Sequence, residues 1–197
     1  MWKIDVNNVE LSELANDYEN DLYGPDFYST NREVEHWLAS DSFFWAIATQ
    51  SNIDSGRTEI GGLLSILVTD TAVLNILEDK SARETDIQPW SSSDHGSEMS
   101  IYYCSFSAID GAVGTLLYQK AQRFFKEFYS RNDISPQYAV SVAASRFGEQ
   151  HLERCGFQKI PMLSYQSKYP VMHARCDSRL RLSWARLLRC NSAGRMI

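Results

Sequence analysis

Apolar and polar positions alternate at residues 2–6, "WKIDV", the period of a half-buried strand. The next pattern has the helical period. In "VELSELANDYENDLYG", Val9, Leu11, Leu14, Tyr18 and Leu22 recur near helical spacing, and Gly24-Pro25 closes the segment. A second helix is expected in "STNREVEHWLAS", with Ser29, Thr30 or Asn31 as caps and Val34, Trp37 and Leu38 on one face. "SFFWAIATQ" is aromatic and β-branched and reads as a strand, followed by the turn cluster "NIDSGR". "IGGLLSILVTDTAVLNILE" is apolar throughout, one long strand or two broken near Asp70. After the polar, Ser-rich stretch 79–98 comes the strand "MSIYYCSFSAI", a turn at Asp110-Gly111, and a helix from about Gly114 to Tyr129. Leu116, Leu117, Ala121, Phe124, Phe125 and Phe128 form the stripe of that helix. "YAVSVAAS" is a further strand, "EQHLERCGF" a short helix that Gly156 stops in the left-handed conformation, and "MLSYQSKYPVMHARC" a final strand pair.

The order is therefore β-α-α-β-β-β-α-β-α-β-β. Two strands joined by one helix, "SIYYCSFS" and "YAVSVAAS", are expected to be parallel with a right-handed crossover. The consecutive strands before them, and the last pair, are expected to be antiparallel. The fold class is α/β in the α+β sense: a mixed, mostly antiparallel sheet with a central parallel pair and helices on both faces. Residues 1–197 read as a single domain with a long loop at 79–98, because neither side of that loop makes a complete layered structure.

Composition narrows the classes. With 44% hydrophobic and 12% aromatic residues the chain can bury a sizeable core. No stretch approaches the ~18 apolar residues of a membrane span, and "MWKIDVNNVELSEL" lacks the basic start and apolar block of a signal peptide, so a cytoplasmic protein without a membrane partner is expected. Cys104, Cys155, Cys176 and Cys190 have no CxxC spacing, and His36, His95, His151 and His173 form no HxxxH pair; no metal site is expected. The formal net charge of −6 argues against nucleic acid as the main partner.

That charge is uneven. Glu10, Glu13, Asp17, Glu19, Asp21 and Asp26 crowd the first third, whereas Arg175, Arg179, Arg181, Arg186, Arg189 and Arg195 face one acid, Asp177, at the end. The asymmetry fits a cationic small substrate near the acidic end, a head-to-tail contact, or two solvated faces. The Arg-rich extension 177–197 carries Leu180, Trp184, Leu187 and Leu188 at about helical spacing and is expected to pack on the body or on a second subunit, which makes a homodimer one expectation.

Two segments taken together, "YYCSFSAIDGAVGTLLYQKAQRFF" and "YAVSVAASRFGEQHLERCGF", resemble the GCN5-related N-acetyltransferase superfamily over most of the chain. In that family a strand enters a pyrophosphate-binding loop, Q/R-x-x-G-x-G/A, that opens a long helix; a second strand splays away; and a short helix ends in a segment like "LERCGF". The resemblance implies transfer of an acetyl or other acyl group from acetyl-CoA, or another acyl-CoA, to a small-molecule or peptide amine. It implies cofactor contacts at Cys104, Phe106, Gly111, Ala112, Val113, Gly114, Thr115 and Ser145. A loop that opens a helix exposes unpaired N–H groups to an anion, and the backbone at "CSF" can pair with an extended arm as an added strand. The sequence departs from the family at three places, one of them Ala112 in the position of the loop's middle glycine. Ile109 stands where the loop has Gln or Arg, and Leu152 where a Tyr frequently protonates the leaving thiolate. Glu98, Tyr103 and His151 are the candidates for the base, and Tyr103 and His151 for the thiolate's proton, the alternative for His151 being a solvated helix residue. Tyr23, Asp26, Phe27 and Tyr28 are the candidate acceptor contacts, aromatic surfaces with a charge that suit an amine or equally the packing of a loop. The runner-up functions are a binding or regulatory domain that has lost the chemistry, and an acyltransferase fed by an acyl carrier protein. A covalent route through Cys104 or Cys155 needs a His within hydrogen-bond reach.

Overall fold

The alternating segment at the start forms strand β1 (Lys3–Val6), which pairs antiparallel with β2 (Phe43–Ser51). The structure, a computed structural model, describes residues 1–24, 32–52, 56–91, 98–133, 136–166 and 168–176. Helix α1 (Ser12–Tyr23) follows a 3-10 turn whose Asn8 side chain accepts a hydrogen bond from the Glu10 N–H; it stops at Gly24, where φ is +76°. The second expected helix is a single turn, α2 (Glu35–Leu38), with Trp37 buried. The caps expected for it, Ser29, Thr30 and Asn31, lie outside the described residues.

The apolar run after residue 60 is neither one strand nor two. Strand β3 (Thr58–Asp70) ends where the Asp70 carboxylate accepts a hydrogen bond from the Ala72 N–H, and Val73–Glu78 forms helix α3. Val73 and Leu77, one helical turn apart, are its buried residues, so the local period overrides the general apolarity. The loop that follows is tied through its backbone to α2 and to strand β3. The Trp37 indole donates to the Ile87 carbonyl at 2.7 Å, the Thr69 hydroxyl to that of Gln88 at 2.7 Å, and the Trp90 N–H to that of Val68 at 2.8 Å.

Strand β4 (Met99–Ala108) leads into α4 (Gly111–Asn132). Asp110 caps that helix, so it begins three residues before the expected start. Its buried stripe runs through Val113, Leu117, Ala121, Phe125 and Phe128, while Leu116 is 40% exposed. Strand β5 (Tyr138–Val142), helix α5 (Arg146–Arg154) and the strands β6 (Gln158–Tyr165) and β7 (Tyr169–Arg175) complete the described chain. Gly156 ends α5 at φ +92° in a Schellman arrangement: its N–H bonds the Glu153 carbonyl and the Phe157 N–H bonds that of Leu152. Phe157 folds back edge-on against Tyr103.

Among the described residues seven strands lie in the order β1-β2-β3-β4-β5-β7-β6, antiparallel throughout except for the parallel pair β4–β5. The sheet separates two cores. On one face Phe44, Leu64, Ile66 and Tyr103 pack under α4 and α5; on the other Trp45, Ile47, Leu67 and Tyr102 pack with α1, α2 and α3. The expected fold class is the observed one. No helix among the described residues is long and apolar enough to cross a membrane.

Candidate active site

The two central strands part in the middle of the sheet. Pairing between β4 and β5 runs from Ser100↔Tyr138 to Tyr103↔Ser141, where the Ser141 hydroxyl takes the Tyr103 carbonyl at 3.1 Å. Beyond that point β5 ends at Val142 and follows β7, while β4 continues to Ala108 on β3 alone among the described strands. A bulge marks the parting. Ser65 pairs with Ser105 and Ile66 with Tyr103, leaving Cys104 with no partner of its own. Tyr102 and Tyr103 face opposite cores, as strand alternation requires, but the bulge turns both Cys104 and Ser105 toward α1 before Phe106 returns to the α4 side. Bulges re-aim side chains in this way. A cleft of about 950 Å³ runs through the opening.

Two acids reach the α1 side of this cleft. Glu19 projects from α1 and Glu84 from the tied-down loop, and both are partly buried wall residues. Burial pushes the Glu19 carboxyl up to about 7. It pushes Glu84 up to about 8, against a hydrogen bond from the Tyr102 hydroxyl at 2.7 Å that favours the charged form, and the nearby Glu19 charge adds to the rise. Among the described residues neither acid forms an ion pair. Ser105 is buried; its hydroxyl makes no hydrogen bond of full geometry among them, but it stands close enough to Glu19 and Tyr23 to favour the ionised form of each. Tyr23 donates to the Phe106 carbonyl at 2.9 Å and its own hydroxyl is pushed up to about 12, chiefly by burial.

The opposite wall is aromatic. His151 on α5 stacks on Phe106 with 5.1 Å between ring centroids, and its Nε2 lies 3.4 Å from the Tyr118 hydroxyl on α4. Burial, and then the Arg154 charge, lower the His151 pKa, so the ring is neutral near pH 7. Tyr103 and Tyr118 are buried and held well above the ordinary tyrosine range by desolvation. Cys104 is likewise pushed up, by burial and then by the Glu84 and Glu19 charges. A thiol so placed is a poor thiolate, and the Cys155 thiol is spent on the His151 carbonyl at 2.9 Å, so the geometry lends the covalent route no support.

The cleft runs out toward the start of α4, reaching Ile109 and Asp110. The Asp110 carboxylate accepts from the Val113 N–H at 2.8 Å and its carbonyl from the Gly114 N–H at 3.1 Å. The remaining first-turn donors are the N–H groups of Gly111 and Ala112; Val113 and Gly114 are buried, and the Thr115 hydroxyl is turned back to the Gly111 carbonyl at 2.7 Å. Ser145 caps α5 through the Gly148 N–H.

The structure thus gathers Tyr23, Tyr103, Cys104, Phe106, Ser145 and His151 around one cleft; its lining reaches Asp110, and Gly111–Thr115, the first residues of α4, follow that cap without lining it. Asp26, Phe27 and Tyr28 lie outside the described residues. Sequence reasoning passed over Glu84, Ser105 and Tyr118, and named Glu19 only as one of the acids that crowd the first third. One signal was available: Glu19 follows Ser12 and Ala15 at helical spacing, so it is an acid on the inward stripe of α1. Glu84 carries no such mark.

No protein-family model matches the chain, and no curated protein does. Solved structures do. Arabidopsis thaliana NAA60 in complex with acetyl-CoA superposes with a TM-score of 0.54 over 89% of this chain and 99% of that one, at 10% identity. The fold is that of the GCN5-related N-acetyltransferases. An uncharacterised Bacillus halodurans protein matches at a TM-score of 0.51 over 96% of this chain and 91% of its own, also at 10% identity. A point mutant of KacT matches at 0.50 over 92% and 98%, at 9% identity. At these identities the likeness is one of fold.

Proposed function

We propose that this protein is an N-acyltransferase that moves an acetyl or other acyl group from an acyl-CoA to an amine. The observation that carries the reading is the opening of β4 from β5 beyond Tyr103 and Ser141, with a helix N-terminus at one end of the cleft and two unpaired acids at the other. The residues fit such a donor along the backbone: Cys104–Phe106 offer a strand edge, and Gly111 and Ala112 offer first-turn N–H groups to a diphosphate. Bound there, acyl-CoA supplies an activated thioester. That NAA60 with acetyl-CoA shares the fold supports the same placement.

The chain's own residues then divide the work. Glu84, oriented by Tyr102, accepts the proton that the amine must lose to become a nucleophile. Its raised pKa makes it a stronger base than an ordinary carboxylate. On the far wall the Tyr118–His151 pair lies where Leu152 replaces the customary Tyr, and supplies the proton for the departing sulfur. Holding amine and thioester in one enclosed cleft supplies much of the remaining rate.

The test is calorimetric titration of CoA and acetyl-CoA into the purified chain, with thiol release followed over a panel of amines. Micromolar CoA binding with amine-dependent thiol release is expected. Absence of both removes the reading; binding without transfer to any amine would favour a domain that has kept the fold and lost the chemistry.

A further inference from the structure

Resting on the acyltransferase reading, we propose that the acceptor is an alkyl diamine, one amino group presented to Glu84 for acylation and the other held as an ammonium by Glu19 and Ser105. A single amine needs one acid to take its proton. This half of the cleft has two, Glu19 and Glu84, and Arg154 is the one side chain of fixed positive charge among the described residues that line the cleft. It stands on α5, the other wall. Two carboxylates in a shared, partly dry wall without a counter-cation are unfavourable unless a ligand brings the charge.

Ser105 is the second, independent sign. Its hydroxyl is turned by the bulge into the wall between α1 and β4, is buried, and among the described residues makes no hydrogen bond of full geometry, its only near neighbours of that kind being Glu19 and Tyr23. Buried hydroxyls are seldom left so, and an ammonium has three N–H donors to give. Glu19 and Ser105 together offer a charged and a neutral acceptor for it. The same side of the cleft is otherwise aromatic and apolar: Tyr18, Trp37 and Leu63 suit a methylene chain and the face of a cation. The pKa positions agree, since both acids are raised mainly by desolvation and Glu84 further by Glu19, a strain that a bound dication relieves. The overall charge of −6 draws cations toward the protein.

The chemistry balances. The ammonium first gives one proton to the Glu84 carboxylate; the free amine nitrogen then forms a bond to the acyl carbon, and as the carbon–sulfur bond breaks the sulfur takes a proton from the Tyr118–His151 pair, which the nitrogen's second proton replaces. The second ammonium keeps its protons throughout and serves only as a handle.

Calorimetry on the full chain without donor tests the site directly: alkyl diamines and alkyl monoamines of matched length are titrated into native protein, Glu19→Gln and Ser105→Ala. Diamines should bind at least tenfold tighter than matched monoamines, and Glu19→Gln should erase that preference while its CoA affinity stays native. In turnover with acetyl-CoA the same preference should appear in KM. Equal affinity for both amine classes, or a preference unmoved in a folded Glu19→Gln protein, overturns the diamine site. Failure of the acyltransferase reading looks different: CoA does not bind, whereas the diamine preference and its loss in Glu19→Gln persist.

Discussion

The Asp110 carboxylate accepts the Val113 N–H at 2.8 Å, which sets a negative charge at the N-terminus of α4, the end of the cleft proposed for a diphosphate. The cap stabilises the helix and opposes the anion at the same time. Ile109, which is 56% exposed, adds no compensating cation. Replacing Asp110 by Asn keeps a good cap and removes the charge. Asp110→Asn should therefore bind CoA about tenfold more tightly, ~1.4 kcal/mol, at low salt, and the gain should shrink as salt is added. Ala112→Asp, at an exposed first-turn position, should do the opposite without disturbing the fold. If neither variant changes the calorimetric affinity, the diphosphate does not sit at this helix.

Glu84 makes a second prediction, on stability. Its folded pKa of about 8 lies above the ordinary 4.5, so between these values the native state holds a proton that the unfolded chain releases. The stabilisation from that proton is complete below pH 4.5 and is lost as pH rises through about 8. Glu19, raised to about 7, acts in the same direction. Glu84→Gln still accepts the Tyr102 hydroxyl but does not titrate. Its melting temperature should pull steadily ahead of the native protein's through this window, because only the native protein's cost of burying the carboxylate grows with pH. A constant difference from pH 5 to pH 8 would remove the buried-acid assignment.

Much of the fold was legible because strong periods and punctuation agree. The alternation of "WKIDV", the stripe of α4 and the Gly156 stop each have a single physical reading, and the crossover helix fixes β4 and β5 as the parallel pair. Where the period was short or mixed, legibility failed: Val73–Glu78 is apolar enough for a strand, and only its four-residue spacing of buried side chains makes it a helix. The site was half legible. Residues of the β4 segment and α5 were placed by their resemblance to a family pattern. The acids were not, because Glu84 enters the cleft through a loop whose course depends on backbone bonds to Thr69 and Trp37 far away in sequence. A bulge at Cys104, which aims Ser105, leaves no mark in composition either.

Glu84 should also set the pH dependence of catalysis. If it accepts the amine's proton, kcat/KM should climb with pH and level off above about 8, following ionisation of the carboxyl in the free protein. Glu84→Gln should lose roughly 10²–10⁴-fold in kcat and with it that limb of the profile. An unchanged profile in the Gln variant would move the base elsewhere. Glu19, the other acid on that wall, would then be the next to replace.

The proton for the leaving sulfur is assigned to a pair, and a pair has its own signature. His151 Nε2 and the Tyr118 hydroxyl are 3.4 Å apart, and which of them donates depends on the imidazole tautomer. The lowered His151 pKa keeps the ring neutral near pH 7, so a full imidazolium is not the donor; a proton handed along the pair is. His151→Ala and Tyr118→Phe should each lower kcat at least tenfold with CoA affinity little changed. The His151 ring also stacks on Phe106, so part of its loss can come from packing alone. The double variant separates the two. Residues that pass one proton act as a unit, and the double loss should be close to the larger single loss instead of their product. Leu152→Tyr, which places a hydroxyl next to His151 on α5, should recover part of the turnover of Tyr118→Phe. Multiplicative losses in the double variant, together with no recovery by Leu152→Tyr, would mean that water protonates the sulfur.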